Sequence, residues 1–302
     1  MPSPRAITTL ATLGLVTMTA VWGSTFVLIK DVVSRMPVTD FLAARFSVAA
    51  LAMLALFGRQ AWRLGRAQIL RGLLLGAIYG TGQLLQTWGL ALISPSVSGF
   101  ATGMYVVFTP ILALLLLRER VAGVVWLAVA LATTGLALLT LNGFEIGLGV
   151  WLTVASAVFY ALHIVLLGQW SRPGEAFGLS AVQVVAIAFV CLLATAPHGP
   201  TLPPDPGAWF AILYMALIAG AGAMLMQTWA QAHLPAARAA IVMTTEPAFA
   251  AAFAVLLGVD VLSWRMLVGG GLILAAMYLV ELLPRRKGDP EVPPAEAVHH
   301  EV

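Results

Sequence analysis

Charge is what this sequence has least of. Only 10% of its 302 residues are Asp, Glu, Lys or Arg, whereas 61% are hydrophobic. A soluble domain carries about 25% charged residues to keep its surface wet. A buried core cannot absorb so large a deficit, so lipid replaces water around most of the molecule. Cysteine is nearly absent too, and the single Cys191 excludes an intramolecular disulfide framework and a cysteine-ligated metal. The sequence has no basic patch interleaved with aromatics, which speaks against nucleic-acid binding. It also has no His-Glu-x-x-His pair, serine nucleophile elbow or paired intramembrane aspartates, which speaks against an intramembrane enzyme. No ATP-binding loop is present, so this chain alone cannot use ATP directly. No cofactor and no metal are expected.

What is present is a series of long apolar runs. A helix needs about 20 apolar residues to cross the hydrocarbon. Ten runs qualify, at roughly 9–30, 38–57, 70–92, 95–117, 121–141, 146–169, 179–197, 207–232, 236–258 and 263–283. The first is too long for a signal-peptide core and reads as an uncleaved helix. Turn chemistry marks the breaks, among them Met36-Pro37, Ser94-Pro95, Asn142-Gly143, Arg172-Pro173-Gly174 and Leu234-Pro235. The Pro- and Glu-rich stretch 288–302 reads as a disordered cytoplasmic tail.

Basic residues set the orientation. With the N-terminus in the cytoplasm, that side holds Arg5; Arg59, Arg63, Arg66 and Arg71; Arg118 and Arg120; Arg172; Arg238; and Arg285, Arg286 and Lys287. These are twelve of the sixteen Lys and Arg residues. Every second loop is depleted, as the positive-inside rule demands, and both termini are expected inside.

The hydropathy also hides a repeat. Gln86-Thr87-Trp88 recurs as Gln227-Thr228-Trp229, 141 positions later. Thr109-Pro110 is echoed by Glu246-Pro247, Ala20-Val21-Trp22 by Ala157-Val158-Phe159, and Glu119 by Asp260. Each half holds an odd number of helices, five, so two copies in one chain take opposite orientations. The expected fold is therefore all-α integral membrane: ten transmembrane helices as two inverted five-helix repeats, at 1–142 and 143–287. Such a design puts a small-molecule site between the halves.

The same residues bring a family into view. Trp22-Gly23-Ser24-Thr25-Phe26 with Lys30, Arg45-Phe46, Pro110 with Glu119, and Glu246-Pro247 resemble the motifs of the drug/metabolite transporter superfamily, in its ten-helix EamA branch. Asp260 stands where that family usually has Glu. Within the branch, the overall run is most similar to the YddG group of bacterial aromatic amino-acid exporters. The resemblance implies a multi-pass protein of the bacterial plasma membrane that exports amino acids or related amphipathic metabolites.

Polar stripes locate the expected pathway independently. Gly72, Gly76, Tyr79, Gln83 and Gln86 recur at three- and four-residue steps and share one helix face. Gly220, Met224, Gln227 and Gln231 repeat the pattern. Ser156, Tyr160 and His163 share a face in the sixth run, and Phe26 is a first-run counterpart. With Ser24 of the first-run signature and Tyr105 and Phe108 of the fourth, the expected substrate-binding set is Ser24, Phe26, Tyr79, Gln83, Gln86, Tyr105, Phe108, Tyr160, His163, Met224 and Gln227. Gly99 with Gly103, and Gly269-Gly270-Gly271, read instead as close-packing positions. Three titratable residues are set apart. His163 is either a neutral core histidine or a proton carrier. Glu246 is either a charge partner of Arg45 or Arg238 or an acceptor beside the kink at Pro247. Arg45 either takes part in the site or snorkels to the interface.

A cavity of aromatic rings, amides and a thioether suits a neutral aromatic or hydrophobic amino acid. Lipophilic-cation efflux by proton antiport is the alternative, with Glu246 as its acid. A passive channel is a third possibility. A nucleotide-sugar exchanger would call for Lys or Arg deep in the late runs, where none occurs. The repeat supplies its own pseudo-twofold partner, so a monomer suffices.

Overall fold

The computed structural model describes residues 4–117, 123–140, 147–197, 199–234, 239, 242–243 and 245–281. All regular structure among them is helical. The helices are α1 (Pro4–Val33), α2 (Val38–Trp62), α3 (Arg66–Leu92), α4 (Pro95–Gly103), α5 (Tyr105–Leu117), α6 (Gly123–Thr140), α7 (Leu148–Trp170), α8 (Ala176–Thr195), α9 (Pro206–Ala216), α10 (Ala223–His233), α11 (Glu246–Leu256) and α12 (Trp264–Glu281). In hydrocarbon every backbone N–H and C=O must find its partner within the chain, and a helix does this locally. Six helical stretches are long and apolar enough to cross a bilayer: Ile7–Val33, Val38–Trp62, Pro95–Leu117, Leu148–Trp170, Ala176–Thr195 and Pro206–His233. Trp126–Leu139, Glu246–Leu256 and Trp264–Leu279 are shorter apolar helices. At 27 residues α3 is long enough, but its apolar face shares the helix with Gln68, Gln83, Gln86 and a row of glycines. The tail 288–302, Glu119, Arg238 and the break at Asn142-Gly143 lie outside the described residues.

Two of the expected continuous spans are interrupted. The fourth run breaks at Met104 into α4 and α5. Pro110 inside α5 has no N–H for the Val106 carbonyl, and its ring crowds that carbonyl, which weakens the helix just after the break. The eighth run contains a π-helical turn, Leu217–Gly222, between α9 and α10. Its Leu-Ile-Ala-Gly-Ala-Gly sequence leaves little side chain to oppose the widened turn. A π-turn releases carbonyls from the i→i−4 ladder, and here side chains collect them. Trp22 Nε1 of α1 donates to Ala219 O at 2.8 Å, and Arg45 Nε of α2 donates to Met215 O at 3.2 Å.

The most extensive helix pairings are α2 with α8, α3 with α7, α6 with α12, α3 with α8, α1 with α11, and α11 with α4. Close approach needs small residues. A Cβ at Gly23 of α1 would lie 2.6 Å from Phe249 Cβ and 2.8 Å from the Ala250 nitrogen of α11. A Cβ at Gly99 would meet Ala250, and one at Gly103 would meet Pro247, so this pair does pack α4 against α11. Gly269 faces Gly135 and Gly270 faces Phe100, whereas Gly271 meets nothing.

Polar ties gather at the end of the bundle where α1 finishes. Lys30 Nζ donates to the carbonyls of Leu90, Ala91 and Ile93 at 2.9 Å each, completing the C-terminus of α3. Asp260, after α11, accepts from Ser96 N of α4 at 2.9 Å. Arg35 pairs with both Asp31 and Asp205. Asp205 also caps α9 by accepting from Ala208 N at 2.9 Å. That backbone N–H, followed by the Arg35 guanidinium, holds the Asp205 carboxyl below the usual carboxylate range.

Candidate functional site

The helices line a narrow, partly open central pocket with about 40 Å³ accessible to water, or about 530 Å³ when the gaps between its side chains and the open solvent at its mouth are counted. On α1, Trp22, Thr25, Phe26 and Ile29 line it at the i, i+3, i+4, i+7 spacing of one helical face. Arg45 enters from α2, Tyr79, Gln83 and Gln86 from α3, Thr102 from α4 and Tyr105 from α5. The far wall is Tyr160, His163 and Ile164 of α7, Gln227 of α10, Met243, and Glu246 at the start of α11. These positions come from both halves of the chain.

The polar lining is wired in a fixed order. Gln83 Nε2 donates to the Tyr160 hydroxyl at 2.7 Å, which donates to Gln86 Oε1 at 2.8 Å. Gln86 Nε2 in turn donates to Thr102 Oγ1 at 3.0 Å. The chain thus links α3, α7 and α4. Tyr79 packs its ring 5.2 Å from Tyr160 and meets the His163 ring edge-on at 5.0 Å. Behind the wall, Gln183 points its amide nitrogen at Leu179 O and Thr228 Oγ1, so its Oε1 faces His163 Nε2 at 2.9 Å. Two lining acceptors, Gln83 Oε1 and Gln227 Oε1, are buried with no donor among the described residues.

The two charged side chains of the cavity stand apart. Arg45 is 3% exposed and Glu246 5% exposed. The guanidinium of Arg45 sits 5.0 Å from the Phe46 ring centroid, and the side chain bonds a backbone carbonyl rather than a carboxylate. The Tyr105 hydroxyl donates to Met243 O at 2.9 Å, and Glu246 Oε2 lies 3.3 Å from the same hydroxyl. Among the described residues the ion pairs are those of Arg35, so Arg45 and Glu246 do not meet each other. The expected pairing with Arg45 is therefore absent, and Arg45 faces the cavity instead of snorkelling to an interface. Arg238, the other expected partner of Glu246, is not among the described residues.

Of the residues singled out from sequence, Phe26, Arg45, Tyr79, Gln83, Gln86, Tyr105, Tyr160, His163, Gln227 and Glu246 share this cavity. Ser24, Phe108 and Met224 do not. Ser24 lies two positions from Trp22, about 200° around α1, and its hydroxyl bonds Val21 O at 2.7 Å and the Tyr214 hydroxyl at 3.0 Å. Phe108 follows the break at Met104 and is a half-buried packing residue. Met224 is buried in the helix-packing core. The sequence reading missed Trp22, Thr25, Ile29, Thr102, Ile164 and Met243 as lining residues. Their available signals were the helical spacing of Trp22 to Ile29 and the place of Trp22 and Thr25 in the first-run motif; Thr102, Ile164 and Met243 carry no comparable mark.

Comparison with known proteins places the chain in context. The model of the EamA-like transporter family matches it twice, over residues 9–141 and 147–282. A relative described as an uncharacterized transporter of Archaeoglobus fulgidus is 29% identical over 279 residues, covering 90% of this chain and 86% of that one. A protein of known crystal structure superposes with a TM-score of 0.66 at 17% identity, over 90% of this chain and 96% of the other, which is a likeness of fold.

Proposed function

The chain belongs to the EamA-like transporter family, and from that premise we propose that it is a secondary transporter of neutral aromatic or hydrophobic amino acids, working by alternating access through the central cavity. The observation that carries this reading is the cavity itself. Its aromatic wall of Trp22, Phe26, Tyr79 and Tyr160 offers flat apolar contact, and buried amides and charges beside it can hold a polar head group. The proposed mode is export or uniport, with export following from the resemblance to the YddG group of bacterial aromatic amino-acid exporters, and the proposed location is the bacterial inner membrane with both termini in the cytoplasm.

Alternating access needs two related conformations, and an inverted repeat would supply them. Among the described residues, joining α4 with α5 and α9 with α10 groups the helices as five in each matched stretch, which supports the ten-helix reading. Support for the exchange symmetry comes from the packing. If the halves swap roles, α3 with α7 becomes α10 with α1, α3 with α8 becomes α9 with α2, and α5 with α7 becomes α11 with α1. Each of these pairs is in contact. The pairs α2 with α8 and α6 with α12 map onto themselves and are also in contact. A monomer is then the working unit.

Flux of radiolabelled tryptophan, phenylalanine and leucine into proteoliposomes tests the proposal. Saturable uptake of the aromatic pair supports it, and no movement of any of the three from either side of the membrane overturns it. Burial of Glu246 in the cavity favours a second reading, efflux of lipophilic cations by proton antiport. On that reading Glu246→Gln abolishes flux of a cationic dye. Loss of dye flux alone, with amino-acid flux absent from wild type, would select it.

A further inference from the structure

We propose that the cavity is polarised for a zwitterion, with the ligand carboxylate at Arg45 and its ammonium at Glu246 and the open amide acceptors of Gln83 and Gln227. This deepens the amino-acid reading above and rests on it. Arg45 and Glu246 line the same cavity, each at least nine-tenths buried, and no ion pair joins either to a described residue. Burying a charge without its counter-ion is costly, so an acid and a base held apart in one cavity are both stabilised in their charged forms by a ligand bearing both charges. The donor and acceptor chemistry agrees. The Nε of Arg45 is committed to Met215 O, which leaves the terminal nitrogens to form a two-pronged contact with a carboxylate. An ammonium has donors only. It matches the Glu246 carboxylate and the carbonyl oxygens of Gln83 and Gln227, which have no donor among the described residues. The aromatic rings of the lining take the side chain that projects from the same carbon as both charged groups.

Charge balance makes the proposal selective. A zwitterion leaves all four charges paired. An amine without a carboxylate leaves Arg45 unpaired and adds a like charge to the cavity. An N-acylated amino acid leaves Glu246 facing an anion. Losing a charge-assisted hydrogen bond weakens binding by roughly tenfold or more.

Competition against labelled L-phenylalanine uptake in proteoliposomes reads this directly, using unlabelled L-phenylalanine, 2-phenylethylamine and N-acetyl-L-phenylalanine as the probes. For the wild type, the amine and the N-acetyl compound are expected to compete at least about tenfold more weakly than the amino acid. Arg45→Gln is expected to remove most of the advantage of phenylalanine over 2-phenylethylamine, and Glu246→Gln that over the N-acetyl compound. The wild-type panel stands even if a variant fails to fold. Labelled phenylalanine transported by the wild type but displaced equally by all three compounds overturns the zwitterion proposal and leaves the amino-acid transporter intact. No phenylalanine transport by the wild type overturns both.

Discussion

Gln83 shows how a single side chain organises the cavity. Its nitrogen orients the Tyr160 hydroxyl, and its oxygen is one of the two cavity-lining acceptors with no donor among the described residues. Gln83→Ala removes both roles. It still leaves Tyr160 donating to Gln86, so the fold should survive. The expected result is a KM for aromatic amino acids raised about tenfold, with an unchanged elution profile in detergent. Wild-type KM would make the stripe structural only. At this scale the sequence was readable wherever polarity contrasts with an apolar helix. Tyr79, Gln83 and Gln86 announce themselves by spacing, and so do Tyr160 and His163. Thr102, Ile164 and Met243 have no such contrast, because small and apolar residues line and fill the interior alike. The separation of Arg45 from Glu246 was unreadable for another reason. Pairing two charges far apart in the chain depends on how α2 and α11 pack, which no local pattern encodes.

At the scale of elements, close approach and end-ties determine what holds the cavity together. Gly23 lets α1 reach the backbone of α11. A backbone atom cannot turn aside as a side chain can, so Gly23→Leu forces the two helices apart. The expected cost is about 1–3 kcal/mol, seen as a lowered Tm in detergent. An unchanged Tm would contradict the close contact. The tie at Asp205 gives a pH test. Its carboxyl is held low, chiefly by the Ala208 N–H and then by Arg35, so its contribution is present above the ordinary carboxylate range and fades as the pH falls through the lowered value. Asn caps a helix about as well as Asp, so Asp205→Asn isolates the charge. The variant is expected to melt below wild type near pH ~7, with the gap closing under acid conditions. A gap independent of pH would assign the effect to something other than that charge. Most element positions could be read from the apolar runs and their Pro and Gly breaks. The π-turn at Leu217–Gly222 and the break at Met104 could not, because hydropathy stays high through both.

At the scale of the whole molecule, the two stretches matched by the family model both contribute to the lining of one cavity. The repeat was legible as short echoes such as Gln86-Thr87-Trp88 and Gln227-Thr228-Trp229, and the family model falls on both halves. The proposed substrate is defined only as a class, because a ring-lined cavity accepts many amphipathic solutes. The central claim is that the cavity binds one aromatic amino acid at a time and is exposed to each side of the membrane in turn. Counterflow tests it most directly. Proteoliposomes loaded with excess unlabelled phenylalanine are diluted into a trace of labelled phenylalanine, and uptake is followed in time. Alternating access predicts a transient accumulation of label above its equilibrium level, with an initial rate that saturates as external phenylalanine is raised. Label that only equilibrates, at a rate rising linearly with concentration, would contradict it and indicate a passive pore.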